Sequence, residues 1–196
     1  MAHAWRAAGA AALAIITLGW PSAGRPAVTV VGGGLAEDCY LAAKYAAART
    51  SRRLESVREC TMAIEQGSLD LHDLAGTYVN RGVLFLSALQ YATALKDFDA
   101  AAQIAPDLGE ARVNRGAALI GLGRNADGVS EIDKGLTLNT EAPEKAYFNR
   151  ALAKERLNDV KGAYFDYLKA SQLKPDWDMP RIELARFHVE PAPAPG

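Results

Sequence analysis

Apolar positions recur with a helical period along most of the chain. Residues 75–108 hold two runs in which apolar or small residues follow one another mostly at spacings of three or four. Such spacing places them on one face of a helix, so each run predicts an amphipathic helix. The first run is Tyr78, Val79, Gly82 and Phe85, and the second is Tyr91, Ala94, Phe98 and Ala101. Pro106 is expected to end the second helix, because proline cannot continue one.

The same pattern returns in register with a repeated tripeptide. Asn80-Arg81-Gly82 recurs as Asn114-Arg115-Gly116 and as Asn149-Arg150-Ala151, at spacings of 34 and 35 residues. Small residues follow each copy at fixed distances, and a large residue lies between them, namely Phe98, Ile132 and Tyr167. A repeat of this length indicates an array of similar units. The small residues predict that each unit is a pair of helices in close approach.

This combination resembles the tetratricopeptide repeat family, whose 34-residue unit is two antiparallel helices with small residues at its eighth, twentieth and twenty-seventh positions. The resemblance covers residues 75–177 clearly and 41–74 weakly. It implies an all-α fold, a short right-handed α-solenoid of helix hairpins in which each repeat packs mainly on its neighbours. For function it implies a binding scaffold.

The chain divides accordingly. The predicted segments are a signal peptide over residues 1–24, a flexible leader over 25–35, a degenerate first helix pair over 36–74, repeats over 75–108, 109–143 and 144–177, a capping helix over 178–189 and a disordered Pro/Ala tail over 190–196. The leader is predicted to be loose because three consecutive glycines hold neither a helix nor a strand. The capping helix is expected to cover the apolar face that the last repeat leaves open.

The N-terminal residues are typical of a secretory signal peptide. Arg6 precedes an uncharged run from Ala7 to Trp20, and Ser22 and Gly24 follow as the small residues of a cleavage site. The run has fourteen residues, whereas a spanning helix needs about twenty. An uncleaved anchor and an organellar transit peptide are the alternatives. The expectation is an exported protein in the bacterial periplasm.

Cys39 and Cys60 are the two cysteines of the chain. In an oxidising compartment an even count favours a disulfide. Helices over residues 36–49 and 54–66 that pair antiparallel would bring the two sulfur atoms face to face. The alternative is two separately buried thiols, because Cys60 occupies a position where the other repeats have a small core residue.

Each clear repeat has an acidic residue sixteen positions after its arginine. The pairs are Arg81 with Asp97, Arg115 with Glu131, and Arg150 with Asp166. In an antiparallel hairpin these positions lie roughly level, so the pattern favours repeated ion pairs that set the register of the helices. A row of arginines that binds anions is the alternative.

The asparagines of the tripeptide have no such counterpart. In this family the first helix of each repeat, which here carries Asn80, Asn114 and Asn149, lines the concave face. Asparagine is unfavourable inside a helix, and its carboxamide both donates to and accepts from a peptide backbone. The asparagine ladder of the O-GlcNAc transferase family implies that this row holds an extended peptide by its main chain. The alternative is that each asparagine bonds to a neighbouring helix.

Apolar residues near the asparagines are expected either to form pockets for ligand side chains or to belong to the core between helices. They are Val83, Leu86, Ala117, Ile120, Phe148 and Leu152. Some family members clamp a C-terminal carboxylate with five basic and amide side chains. A clamp of that kind is not expected, because the five positions hold Tyr45, Arg49, Asn80, Glu110 and Asn114.

Composition and motifs argue against an enzyme and against nucleic acid as a partner. The formal net charge is -1, so the chain lacks the basic excess typical of binding to nucleic acid or to an anionic membrane. The three histidines are scattered and no residues have metal-ligand spacing. No phosphate-binding loop or nucleophile elbow occurs, and neither a cofactor nor a metal is expected.

The sequence therefore predicts a non-enzymatic, exported scaffold that binds an extended peptide or protein segment in its concave groove. The alternative is a structural or accessory subunit that assembles through its convex or end faces, by self-association or by positioning an enzyme. No motif indicates which protein is the partner or how many copies assemble.

Overall fold

The computed structural model describes residues 4–7, 27–29, 34–46, 53–66 and 68–190. These residues form nine helices and one short two-stranded ribbon. The helices follow one another as antiparallel hairpins, so the predicted fold class, an all-α solenoid of helix hairpins, is confirmed.

Eight of the helices form four hairpins. The hairpins are α1 (Leu35–Lys44) with α2 (Arg53–Gln66), α3 (Leu71–Ser87) with α4 (Tyr91–Ile104), α5 (Gly109–Gly121) with α6 (Asn125–Thr137), and α7 (Pro143–Arg156) with α8 (Val160–Leu173). Each hairpin packs on the next: α1 and α2 contact α3, α4 contacts α5, and α6 contacts α7. The array is therefore linear.

The helix boundaries follow from the residues at the ends. Asp70 accepts a hydrogen bond at 2.8 Å from the backbone N–H of Asp73 and so caps α3. This helix begins earlier than the predicted repeat, which starts at residue 75. The turns inside the second, third and fourth hairpins each contain one residue with a left-handed backbone, namely Leu89, Gly123 and Asn158, with φ of 61°, 80° and 61°.

The small residues of the repeat lie where the two helices of a hairpin come closest. A Cβ atom added at Gly82 would lie 2.5 Å from the ring of Phe98. One added at Gly116 would lie 2.8 Å from the carbonyl oxygen of Gly128, and one at Gly128 would lie 2.9 Å from the carbonyl oxygen of Gly116. Because Cβ atoms in proteins do not approach so closely, the α5–α6 hairpin needs glycine at both positions.

The large residues of the repeat fill the space inside each hairpin. Phe98, Ile132 and Tyr167 are fully buried at equivalent places. The ring of Tyr167 meets those of Phe148 and Phe187 edge to face, with centroids 5.3 and 5.9 Å apart. Aromatic pairs favour this geometry, so the last hairpin has a ring-rich core.

The C-terminal end differs from the predicted single capping helix. Helix α9 (Asp178–Leu184) ends five residues before the predicted limit, and strand β2 (Phe187–Glu190) follows it. Phe187 is 9% exposed and packs on the core of the last hairpin. Burial of this ring therefore favours an extended backbone here over a longer helix. Strand β2 pairs antiparallel with β1 (Ala4–Ala7).

The predicted signal peptide and tail lie mostly outside the described residues. Strand β1 belongs to the predicted signal peptide, and residues 8–24 of that peptide are not described. Residues 191–196 of the predicted tail are not described either. None of the described helices is both long enough and apolar enough to cross a membrane.

Candidate functional site

The three asparagines occupy equivalent positions on the first helices of their hairpins. Asn80 lies on α3, Asn114 on α5 and Asn149 on α7. All three residues are buried, with exposed fractions of 0%, 0% and 2%. Because a buried carboxamide needs hydrogen-bond partners, the partners of these side chains decide what the row does.

Asn80 binds the main chain of Val28, which lies 52 positions earlier. Its Oδ1 atom accepts a hydrogen bond from the Val28 N–H at 2.8 Å, and its Nδ2 atom donates to the Val28 carbonyl oxygen, also at 2.8 Å. One carboxamide thus satisfies both backbone groups of one residue, as a neighbouring strand would. Asn80 thus binds a peptide backbone, and that backbone belongs to the chain itself.

Val28 lies in the segment predicted as a flexible leader, and for residues 27–29 that prediction is wrong. Val28 is 4% exposed and belongs to the apolar cluster that contains Val79, Val83, Leu86 and Ala117. Burial of its side chain and the two hydrogen bonds to Asn80 together hold the segment against the hairpins. Ala27–Thr29 is called the docked segment below.

The docked segment also contacts the first hairpin. A hydrogen bond with Thr29 lowers the pKa of the Tyr40 phenol; burial opposes this shift, and the nearby Lys44 ammonium adds to it. The Lys44 Nζ atom lies 5.5 Å from the centre of the Tyr40 ring. Since Tyr40 is on α1 and Asn80 on α3, the docked segment joins the first two hairpins.

Val28, Thr29 and Tyr40 are candidate site residues that the repeat pattern does not single out. A signal for them exists in the run Val28-Thr29-Val30-Val31, which is four β-branched residues in succession. Such residues favour an extended backbone, and an extended backbone is what a main-chain-binding groove accepts.

Asn149 lies at the other end of the row and presents an unused acceptor. Within the part of the chain that the structure describes, its Oδ1 atom accepts no hydrogen bond. Lys145 lies one turn earlier on the same helix. Burial lowers the pKa of the Lys145 ammonium, and repulsion from Lys174 lowers it further, against the opposing effect of Glu144. This end of the row therefore combines an acceptor with a half-buried cation.

The apolar residues predicted near the asparagines divide into two groups. Val83, Leu86 and Ala117 share the cluster that buries Val28. The other three belong to the cores of the third and fourth repeats, namely Ile120, Phe148 and Leu152. The structure therefore brings the first group to the docked segment and places the second between helices.

The arginines of the tripeptide contact the acids at the spacing seen in the sequence. Arg81 binds Asp97 at 2.9 and 2.8 Å, Arg150 binds Asp166 at 2.8 and 2.6 Å, and Arg115 lies 3.1 Å from Glu131. Each arginine also binds a residue of the preceding repeat, namely Thr61, Asp99 and Asp133 for Arg81, Arg115 and Arg150. The guanidinium groups thus link successive hairpins.

A disulfide joins Cys39 of α1 to Cys60 of α2, with the sulfur atoms 2.09 Å apart. Both residues are fully buried. The bridge closes the first hairpin beside Tyr40, which contacts the docked segment.

Comparison with known proteins concerns the fold. The sequence matches no protein-family model and no curated protein. Among solved structures, the TPR domain of Arabidopsis OM64 matches with a TM-score of 0.56 at 20% identity, over 60% of this chain and 96% of that domain. The first TPR of Spaghetti (RPAP3), bound to the HSP90 peptide SRMEEVD, matches with a TM-score of 0.53 at 23% identity, over 57% of this chain and 87% of that one.

A third match extends further along the chain. MamA from Desulfovibrio magneticus matches with a TM-score of 0.59 at 17% identity, over 78% of this chain and 82% of that one. Identities this low establish the fold alone. The tetratricopeptide repeat fold predicted from the sequence is therefore confirmed for this chain.

Proposed function

We propose that the chain is a non-enzymatic interaction scaffold that binds an extended peptide or protein segment in the groove lined by Asn80, Asn114 and Asn149. The observation that carries this proposal is the pair of 2.8 Å hydrogen bonds between the Asn80 carboxamide and the Val28 backbone. A carboxamide used in this way recognises a backbone rather than a side chain. The groove is therefore suited to ligands defined by their extended conformation.

The other two asparagines extend this mode along the array. They occupy the equivalent place on successive first helices, so a ligand that follows the groove meets one carboxamide per repeat. The unused acceptor of Asn149 supports a main-chain contact at the far end.

A ligand with a clamped C-terminal carboxylate does not suit this groove. Glu110 occupies one of the five positions that such a clamp needs, and it is 5% exposed. Its Oε1 atom accepts a hydrogen bond from the Thr140 hydroxyl at 2.8 Å. An acid fixed at this place would repel a carboxylate, so an internal stretch of a partner is the better ligand.

We also infer that the chain is exported, in a bacterial cell to the periplasm. Two features support this part of the proposal. The N-terminal sequence is typical of a signal peptide, and a disulfide joins Cys39 to Cys60. Disulfides persist mainly in oxidising compartments.

The experiment is copurification from a native envelope extract. The wild-type chain is compared with the combined variant Asn80→Leu, Asn114→Leu and Asn149→Leu, which replaces each carboxamide by an apolar group of similar branched shape. We expect a partner that copurifies with the wild type and is lost with the triple variant, because the groove can no longer bind a backbone.

Thr77→Val is the matched control. Thr77 is fully buried on α3, but its hydroxyl donates to the Asp73 carbonyl of its own helix at 2.7 Å. This variant also loses a buried polar group, but one that bonds within its own helix, so it should keep the partner. Thermal melts followed by circular dichroism verify that both variants fold. A partner retained equally by all three chains would refute the groove proposal and place the binding surface on the convex or end faces.

A further inference from the structure

The docked segment is held by two different kinds of contact. The Asn80 carboxamide forms two 2.8 Å hydrogen bonds with the backbone N–H and carbonyl oxygen of Val28, the central residue of the segment. The Val28 side chain is 4% exposed inside an apolar cluster. Backbone and side chain are thus each bound by a separate part of the site, called the Asn80 subsite below.

These contacts differ in what they demand of a ligand. The Asn80 carboxamide accepts any residue with a free backbone N–H, which excludes proline. The apolar cluster accepts a side chain of the size of valine and rejects a charged one, because a buried unpaired charge is costly. Together the two contacts specify an extended backbone with a small apolar side chain.

Resting on the proposed function of the groove, we propose that the Asn80 subsite selects an extended segment with a small, preferably β-branched, apolar residue at the position that Val28 occupies. Ala27–Thr29 is the internal occupant of this subsite. An external segment of the same chemistry binds by displacing it.

The internal occupant has a large advantage over an external ligand. It is connected to α1, which begins at Leu35, by a few residues, and so short a link gives an effective concentration in the millimolar range. The apparent affinity for an external segment falls by the fraction of molecules in which the subsite is open. A substitution that weakens the contacts of the docked segment should therefore raise the affinity for an external segment.

The test uses the full chain and the peptide acetyl-Pro-Ala-Val-Thr-Val-amide, which copies residues 26–30. Binding is followed by NMR titration of the wild type, Val28→Ala and Val28→Asp. The introduced aspartate cannot occupy the apolar cluster, so we expect Val28→Asp to bind the peptide about tenfold more tightly than the wild type or better, with Val28→Ala between them.

A further substitution, in the peptide, tests the selectivity. A peptide with Asp in place of its first valine should bind none of the chains measurably, because the apolar cluster cannot hold an unpaired charge. Equal affinity for both peptides would overturn the proposed pattern.

Amide hydrogen exchange tests the internal occupant directly. The Val28 N–H donates to Asn80, so its exchange should be slow in the wild type and fast in Asn80→Leu, while the Phe98 amide in α4 stays protected in both. Fast exchange in the wild type would overturn the internal occupant. Protection that falls on dilution would overturn it as well, because the segment would then come from a second copy.

The outcomes separate this inference from the proposed function. If the peptide binds the wild type and Val28→Asp equally, the displacement mechanism is wrong and the groove still binds a backbone. If the peptide binds neither chain, the selectivity of the subsite is wrong, and copurification alone decides whether the groove binds a partner.

Discussion

Leu89 holds a backbone conformation that disfavours leucine. Its φ is 61°, in the left-handed region, where a side chain with a Cβ atom costs about 1–2 kcal/mol. The same turn position holds Gly123 and Asn158 in the next two hairpins. We expect Leu89→Asn to raise the free energy of unfolding by about 0.5–1 kcal/mol, because asparagine tolerates this φ better. Urea denaturation measures the change.

Leu122 provides the matched control for Leu89. It lies in the equivalent turn of the next hairpin with φ of -82° and is 42% exposed, against 47% for Leu89. Leu122→Asn removes similar apolar contact without relieving an unfavourable φ, so it should lower the free energy of unfolding. Equal changes in the two variants would show that the backbone of Leu89 carries no strain.

At the scale of residues, the sequence predicts the roles of residues that recur in each repeat better than those of residues that occur once. Asn80 stands out because it returns in two later repeats. Its partner Val28 lies 52 positions away and belongs to no periodic pattern. The β-branched run that begins at Val28 indicates an extended backbone but does not indicate which residue binds it. Glycine is typical of left-handed turns, so the residue type at Gly123 indicates its conformation. Leucine is not, so the residue type at Leu89 gives no indication of the same conformation.

At the scale of elements, the antiparallel pairing of helices makes contacts inside a repeat predictable. Arg81 and Asp97 are 16 positions apart, and that separation places them level in the hairpin. Contacts between repeats are less regular. The second partner of each arginine lies 20, 16 or 17 positions before it, because the residue that reaches the guanidinium changes from one repeat to the next. No single spacing could predict these links.

Glu131 shows how a contact inside a repeat responds to pH. Its carboxylate binds Lys134 at 2.7 Å, Arg115 at 3.1 Å and Arg112 at 3.3 Å. Burial raises its pKa, but the hydrogen bonds from Lys134 and Arg115 outweigh burial and hold the pKa below its usual value. The carboxylate therefore stabilises the fold fully at pH values above its unfolded-state pKa of about 4.3. This contribution is lost as the pH falls through the lower folded-state pKa.

We expect Glu131→Gln to lower the free energy of unfolding by about 1–3 kcal/mol at pH 7, because charge-assisted hydrogen bonds are lost. At pH 3, below the unfolded pKa, the difference should shrink, because protonation then favours the unfolded state of the wild type over its folded state. Urea denaturation at both pH values measures it. Asp127→Asn is the control: its pair with Arg124 at 2.7 Å is exposed and should contribute less than about 1 kcal/mol at either pH. A deficit in Glu131→Gln that is the same at both pH values would contradict the assigned role.

At the scale of the whole molecule, the two ends of the array are closed in different ways. The first hairpin carries the disulfide between Cys39 and Cys60. The last hairpin is covered by α9 and, in the chain that keeps its N-terminal segment, by the ribbon of β1 and β2. The sequence indicates the disulfide through its even cysteine count. It does not indicate the ribbon, because each strand has four residues and the two lie at opposite ends of the chain.

The disulfide is expected to hold the first hairpin in the array. Cys39 and Cys60 are 21 positions apart, and a bridge closing a loop of this size stabilises a fold by about 3 kcal/mol. Reduction should therefore lower the free energy of unfolding by about 3 kcal/mol, measured by urea denaturation with and without a phosphine reductant. Cys39→Ala with Cys60→Ala should show a similar loss and no response to the reductant. Because Tyr40 on α1 contacts the docked segment, reduction should also speed amide exchange at Val28. Unchanged stability on reduction would mean that packing on α3 alone holds this hairpin.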